Sequence, residues 1–496
     1  MGILRNLLNR EDGKKVSLFR FIEECTQQTA SFSAIMHELE ISEFVLLRTA
    51  ENLSKDIELN DLTPHFSLTI SRTHKTITLK KDSDASISML YIIYIKNSLS
   101  YNILVDILNG KFVSMTDFGE FNFVSYSAVH KKIQEVKKEL ANYQVRLSSK
   151  YELVGDEIKI RMFFYHLYYP RFNQLNFPFE AKYEKLAQQF IRLLENHLDH
   201  SIQETLKTKI NFFLSVSLKR INMKNYLTSN ARIERTRYTF NHEHPLFQMV
   251  YEFLEKEYRL LKREALISES ESIVAFLVGE SGVRRTEYSP LEDIVEVQDN
   301  LTPLFVHEFE DQFKNKVEKA QHDLLIQELS VLHFKLYYFK KVQPVFGDLL
   351  NMEFLEETYA DAFKFCVDFI GRLPDKKEYK LLTSNENFVF HQYLFLIVQI
   401  FPSKFFMETI YVCLDFSLGN YYTNIIETNL KSFNFFNIEV TSYVHEKTDL
   451  FISDYIYKNI KLPSLVWNMP PTAKDWANVG EFLVRIKNEK AEKVIK

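Results

Sequence analysis

The chain is poor in the residues that several architectures require. Its three cysteines, Cys25, Cys366 and Cys413, are too few and too scattered in 496 residues for a disulfide scaffold or a zinc knuckle. That usage fits a reducing cytoplasm. Only 11 glycines and 12 prolines are present, which argues for helices over a turn-rich β architecture. Charge of one sign is lacking too. The 61 Lys and Arg face 66 Asp and Glu, a formal −5, so no polyanion-binding signature covers the whole chain. The N-terminus has no apolar signal-peptide core. The most apolar run, 388–406, is broken by His391, Gln392, Gln399 and Pro402, which makes it a buried helix rather than a membrane span. Walker loops, Gly-rich dinucleotide turns and nucleophile elbows are absent as well. The expectation is a cytoplasmic protein that is not an enzyme, holds no cofactor and has no membrane partner.

Apolar content of 46% and aromatic content of 14% suffice for ample core, and the length implies about three to five domains. The most informative stretch is 98–160, centred on Asn122-Phe123-Val124-Ser125-Tyr126-Ser127-Ala128-Val129-His130-Lys131-Lys132-Ile133. Ser125 is a good helix N-cap, and Val129, Ile133, Val136 and Leu140 then form one apolar stripe of helical period. The opposite face carries Ser127, Lys131, Gln134 and Lys138, with Tyr126, His130, Lys132 and Lys137 on its flanks. Ammonium groups can meet phosphates or guanine edges, and hydroxyls and amides can bond base edges, so this face suits a DNA major groove. Positive charge is local here, since 125–165 holds eight Lys and Arg against five Asp and Glu. Upstream, Leu99, Ile103, Leu104 and Ile107 predict a helix that stops at Asn109-Gly110, and Ser114 caps a short second one. Downstream, 144–148 and 151–160 read as two strands joined by a polar turn. Helix, helix, recognition helix and ribbon make a winged helix-turn-helix.

Residues 1–82 repeat that plan in weaker form. Helices are predicted at 18–25 and 32–39, and Ser42 caps a third with Leu46, Ala50 and Leu53 inward. Alternating strands at 66–70 and 76–79 flank a basic wing tip, Ser71-Arg72-Thr73-His74-Lys75. The outer face is Phe44, Arg48, Glu51 and Lys55, where one carboxylate would face phosphate at a cost. This module would assist DNA binding through Arg48, Arg72 and Lys75 rather than lead it. Past Pro170 come amphipathic helices with few breakers, at 183–200, 202–221, 245–257 and 269–278, then at 306–324, 325–339, 353–370 and 385–400. Two blocks of similar size suggest tandem helical bundles. Strands at 406–414, 436–440, 449–454 and 465–467, separated by helical stretches, imply a small α/β unit with a parallel sheet. The polar tail 487–496 reads as a helix end or a frayed terminus.

In this order the parts resemble the Mga/AtxA-type virulence regulators of Gram-positive bacteria. The sharpest pieces are 125–133 with its wing to Ile160, then Leu332-His333-Phe334-Lys335-Leu336-Tyr337-Tyr338-Phe339, and the 449–454 strand. The resemblance implies a mainly α, multidomain fold. A first winged helix-turn-helix would occupy 1–82 and a second, the main DNA reader, 83–168. Two bundles like phosphotransferase-system regulation domains (PRD) would follow at 169–288 and 289–405, and an EIIB-like α/β domain at 406–496. The implied function is DNA-binding transcriptional regulation, controlled by histidine phosphorylation from phosphotransferase-system phosphocarrier proteins. Few Arg or Asn lie on the recognition face, so weak sequence specificity and a preference for DNA shape are expected. Two-fold assembly would pair two reading heads on double-stranded DNA, and the aromatic segments 433–436 and 462–467 offer surface for a homodimer.

The phosphorylation candidates are His200, beside Asp199, His333, amid Leu332, Phe334 and Tyr337, and His391, amid Phe388, Phe390 and Tyr393. The other reading of each is a hydrogen-bonded core or edge histidine. The chain departs from the regulation-domain pattern where Lys209 and the run Glu269-Ser270-Glu271-Ser272 stand at positions familiar for histidine. Cys413 is followed by Leu414-Asp415-Phe416 instead of a Gly/Ser loop that would cradle phosphate. It reads as a buried small hydrophobe, and its domain as a binding or dimerisation module that has lost phosphotransfer. His242 with His244, and His197 with His200, lack a second ligand set at zinc spacing, so no metal is expected. An alternative from another class is a phosphotransferase-linked signalling scaffold whose helix-turn-helix modules bind protein.

Overall fold

The computed structural model describes residues 7–169, 172, 177–227, 238–280, 294–297, 300–313, 317–342, 352–373, 379–401, 405–406, 409–433 and 436–494. The protein is mainly helical and divides into two compact units, 1–298 with 331–349, and 299–330 with 350–496. The expected domain edge at 288–289, and 434–435 within the expected dimer segment, lie outside the described residues.

The first unit opens with a winged helix-turn-helix. Helices Arg10–Glu24, Phe32–Leu39 and Glu43–Leu59 pack on an antiparallel sheet of Thr29–Ser31, Thr76–Lys81 and Phe66–Ser71, with Thr76–Lys81 in the middle. Ser31 and Ser42 cap the second and third helices by accepting the amides of Ala34 and Val45. Leu18, Phe19, Ile22, Leu46, Ala50 and Leu53 close the core, as the helical spacing requires. The opening helix begins eight residues earlier than the 18–25 reading, because its first turns are polar and carry no stripe.

The second winged helix-turn-helix runs through helices Ser88–Lys96, Leu99–Leu108, Met115–Phe121 and Tyr126–Ala141, then a two-stranded wing, Arg146–Leu147 with Leu153–Val154. Serines 98, 114 and 125 each cap the helix that follows. Asp56 joins the two modules, accepting from Lys15 Nζ and from the Tyr94 hydroxyl, both at 2.7 Å. The strand expected over 151–160 does not form beyond Val154. Pairing stops after Leu153 and Val154, and Asp156 caps a new helix, Glu157–Tyr168, by accepting the Ile158 amide at 3.0 Å. Every residue from Ile160 to Tyr168 is buried, Arg161 and His166 included, so this helix is covered on all sides and shows no helical stripe.

The helix Glu157–Tyr168 packs into a bundle of Ala181–Leu198, Glu204–Asn222, Pro245–Glu257 and Arg263–Gly279. Phe213 and Phe276 stack at 3.9 Å, Tyr165 meets Phe276 edge-on at 5.3 Å, and Phe339 meets Phe213 at 6.2 Å. A short antiparallel strand pair, Tyr238–Phe240 with Val295–Val297, was not foreseen from the sequence and belongs to this unit.

The second unit holds helices Leu301–Gln312, Met352–Thr358, Ala360–Arg372, Lys380–Thr383 and Glu386–Ile400, and the opening part of Lys319–Phe339. Two long expected helices are each divided: 306–324 ends at Gln312, and 353–370 breaks at Tyr359, whose φ of −127° and ψ of 41° leave the helical region. Its core is aromatic, with Phe305 4.5 Å from Tyr393 and 5.3 Å from Phe365. The chain then forms a wholly parallel sheet in the order Ser464–Val466, Leu450–Ser453, Thr409–Asp415, Asn437–Thr441, flanked by Asn420–Lys431 and Ala473–Val494. Residues 407 and 408 of the expected first strand lie outside the described residues. Val479, Leu483 and Ile486 of the last helix press on Ile410, Val412 and Leu414. Among the described residues, no helix is long and apolar enough to cross a membrane.

Candidate nucleic-acid interface

The recognition helix Tyr126–Ala141 is held from below by Val129, Ile133, Val136 and Leu140, all buried. The turn before it is tight. The Val124 amide donates to the Gly119 carbonyl at 2.9 Å, and a Cβ on residue 119 would lie 2.8 Å from the Val124 carbonyl oxygen, so only glycine fits. Ser125 caps the helix through the Ala128 amide at 3.3 Å and shares a 3.0 Å hydrogen bond with the Ser127 hydroxyl.

The outer face is as the spacing predicts. Tyr126, Ser127, His130, Lys131, Gln134, Lys137 and Lys138 are exposed. The Tyr126 and His130 rings stack at 6.4 Å, and His130 Nε2 lies 3.4 Å from the Gln134 amide nitrogen. Lys132 stands apart from the other lysines, because it is mostly covered and pairs with Glu135 at 2.7 Å. Among the described residues, Lys131, Lys137 and Lys138 have no carboxylate partner. The wing tip adds exposed Arg146 and Lys150, and Ser148 Oγ ties the tip by accepting the amides of Lys150 and Glu152. Tyr151 anchors the wing on Phe112, with ring centres 4.8 Å apart.

The first module has a different charge pattern. Arg48 pairs with Glu11 at 3.2 Å, Arg72 with Glu51 at 2.7 Å, and Lys75 with Glu43 at 3.9 Å. Arg48, Arg72 and Lys75 therefore each have a carboxylate beside them, whereas Lys55 on the outer face is exposed with no ion pair among the described residues, and Phe44 is exposed on the same module. Two exposed aromatic residues by the second reading head, Phe121 and Phe123, were not singled out as site residues from the sequence. Their signal was only that an aromatic residue brackets each side of Asn122, where a turn needs none.

The three histidines differ in access. His200 is partly exposed, and its Nδ1 donates to the Ser201 carbonyl at 3.0 Å, so in the neutral ring Nε2 is the nitrogen with the lone pair. His391 likewise donates from Nδ1 to the Asn387 carbonyl at 2.5 Å, but it is buried, and among the described residues its Nε2 has no hydrogen-bond partner. His333 is wholly buried. His242 Nε2 lies 2.8 Å from Glu271, and His244 caps a helix by accepting the Leu246 amide at 3.1 Å, so these two imidazoles serve separate contacts. Lys209 and Lys335 both pair with the buried Glu280 carboxylate, which burial alone would push up but the two ammonium groups hold below its ordinary value. Cys413 is buried in its strand, and burial pushes its thiol up. Trp467 and Phe433, expected on a dimer surface, instead pack inside their own domain against Trp476, at 4.9 and 6.0 Å. The domain's exposed apolar groups include Leu418 and Tyr421, which follow the strand Thr409–Asp415, and Tyr455 and Ile456, which follow Leu450–Ser453.

Residues 83–168 match the Mga helix-turn-helix domain. The chain is 25% identical over 167 residues to the capsule synthesis positive regulator AcpB of Bacillus anthracis, covering 33% of this chain and 34% of that protein. It is 23% identical over 175 residues to the capsule synthesis positive regulator AcpA of the same organism, covering 35% and 36%. Each match thus spans about a third of the relative's own length. The chain is similar to these capsule regulators over about a third of its length and carries a Mga helix-turn-helix domain at 83–168.

Proposed function

We propose that the protein is a DNA-binding transcription regulator whose second winged helix-turn-helix supplies most of the DNA affinity. The carrying observation is the contrast between the two reading heads. Lys131, Lys137 and Lys138 stand unneutralised on one exposed face, whereas Arg48, Arg72 and Lys75 each have a carboxylate neighbour. Free cations release condensed counterions when they meet phosphate, but paired ones must first give up a partner. The outer face lacks the Arg and Asn forks that read guanine and adenine, which supports weak base specificity and a larger share for DNA shape.

Control by a phosphoryl group from phosphotransferase-system phosphocarriers belongs to the same proposal, with His200 the accessible acceptor through Nε2. Lys207, which joins Glu195 at 3.1 Å and Glu204 at 2.9 Å, shares the Glu195 carboxylate's surroundings with His200 and is the cation that a phosphoryl group would compete for. A homodimer through the C-terminal α/β domain would place two reading heads on one site.

The test is DNA affinity of full-length protein measured across salt concentration. Lys131→Ala with Lys138→Ala should lower the log–log salt slope by about two and weaken binding far more than Arg48→Ala. Equal losses from both modules would refute the ranking. Binding without salt dependence would favour the signalling-scaffold reading.

A further inference from the structure

The entry to the recognition helix carries exposed rings that the phosphate contacts do not use. Phe123 is 96% exposed, Phe121 82% and Tyr126 55%. Leaving a phenylalanine in water forgoes about 1.5–3 kcal/mol of burial. Phe123 also sits in the left-handed region at φ +56°, a conformation that a bulky L-residue rarely adopts. The turn that holds it is closed twice, by Val124 to Gly119 and by the Asn122 side chain to the Phe118 carbonyl, each at 2.9 Å. The ring is therefore displayed on a fixed turn.

We propose that Phe123 and Tyr126 are base-contacting residues that read thymine C5 methyl groups in the major groove. The inference rests on the DNA-binding reading above and adds to it the group recognised. A helix-turn-helix directs the N-terminal residues of its second helix at base edges, where Tyr126 is the first helical residue and Phe123 stands two before the cap. The thymine methyl is the apolar feature that the major groove offers to such rings. Hydrogen-bonding alternatives nearby are already engaged: Ser125 and Ser127 bond each other, and Gln134 lies against His130. The exposed Lys131, Lys137 and Lys138 on the same helix make the surroundings of this apolar cluster fit a polyanion. Such contacts give a bias toward thymine-containing steps without a strict consensus.

The experiment uses full-length protein, an A·T-rich duplex, and the same duplex with deoxyuridine in place of thymidine, which removes only the C5 methyls. Wild-type affinity should fall about five- to tenfold on the deoxyuridine duplex, with an unchanged salt slope, since phosphate contacts are the same. Phe123→Ala should lose part of that factor on thymine DNA, and Phe123→Ala with Tyr126→Ala should scarcely distinguish the two duplexes, while Lys131→Ala should weaken both alike. Phe123 lies outside the core, and a thermal melt of Phe123→Ala confirms that the fold is kept. Steep, salt-dependent binding that ignores the methyls, or full discrimination by Phe123→Ala, overturns the proposal and leaves the DNA-binding reading intact. Absence of salt-dependent binding to either duplex overturns both, and would assign the rings to a protein partner.

Discussion

Arg161, on the last helix of the second winged helix-turn-helix, and Glu269, inside the bundle that follows, face each other through two hydrogen bonds of 2.5 and 2.9 Å, with side chains 2% and 1% exposed. Burial alone would lower the Arg161 guanidinium, but Glu269 and Glu157 outweigh it and raise its pKa. Arg220 adds a second fork onto Glu157, at 2.7 and 2.8 Å, and the Leu227 amide donates to Glu269 at 2.9 Å. Reading domain and bundle are thus joined through a satisfied, dry ion cluster. Removing one partner strands the other charge, so Arg161→Ala and Glu269→Ala should each destabilise by about 3–5 kcal/mol. The Arg161→Ala/Glu269→Ala double should cost much less than their sum. A double-mutant cycle by chemical denaturation checks this, and strict additivity would show that the two do not act as a unit.

His166, on the same helix, is held neutral. Burial first, then the Lys335 and Lys341 cations, pull its pKa to about 3, against a partial pull upward from Glu280. The unfolded chain, with an ordinary value near 6.5, therefore binds a proton that the folded chain refuses. His166 contributes its full share of stability above about pH 6.5, and that share is lost as pH falls toward 3. The protein should lose about 2 kcal/mol between pH 7 and pH 5 that His166→Gln does not lose. Gln still offers the Tyr143 hydroxyl, 2.9 Å from His166 Nδ1, a partner. Denaturation at the two pH values reads the difference, and parallel losses would mean that another group titrates.

The proposed dimer places Tyr421 and Ile456, 90% and 82% exposed, in its contact. Neither side chain supports its own domain, unlike Trp467. Truncating a well-buried interface anchor costs about 2 kcal/mol or more. Tyr421→Asp or Ile456→Asp should therefore raise the dimer dissociation constant about thirtyfold or more and weaken DNA binding in step. Light scattering across concentration measures this, and an unchanged dimer would exclude this surface.

Phosphorylation of His200 would add roughly −1.5 to −2 charge beside Lys207. His200→Asp should then shift DNA affinity by about five- to 150-fold, the usual range of allosteric coupling, while His200→Ala leaves the unmodified value. Identical behaviour of the two variants would make His200 structural. His391 and His333, being buried, should stay unlabelled by a phosphocarrier under native conditions, as phosphohistidine mapping would test.

The recognition helix, its cap and its apolar stripe were legible from residues 122–140, because a half-exposed helix writes its environment into its period. The same holds for the Glu43–Leu59 helix and for the alternating strands Phe66–Ser71 and Thr76–Lys81. The parallel order of the C-terminal strands also followed from their separation by helices. The helix Glu157–Tyr168 was not legible, because full burial erases the period and leaves an apolar run that also fits a strand. Charge was read correctly as residue type but not as state. Only the tertiary structure brings Glu11, Glu51 and Glu43 to the first module's cations, buries Arg161 against a residue 108 positions away, and draws Trp467 into its own core. Local pattern determined which segments form helices and which faces seek cover. What covers them, and which charges remain free for a partner, depended on contacts between segments far apart in the chain.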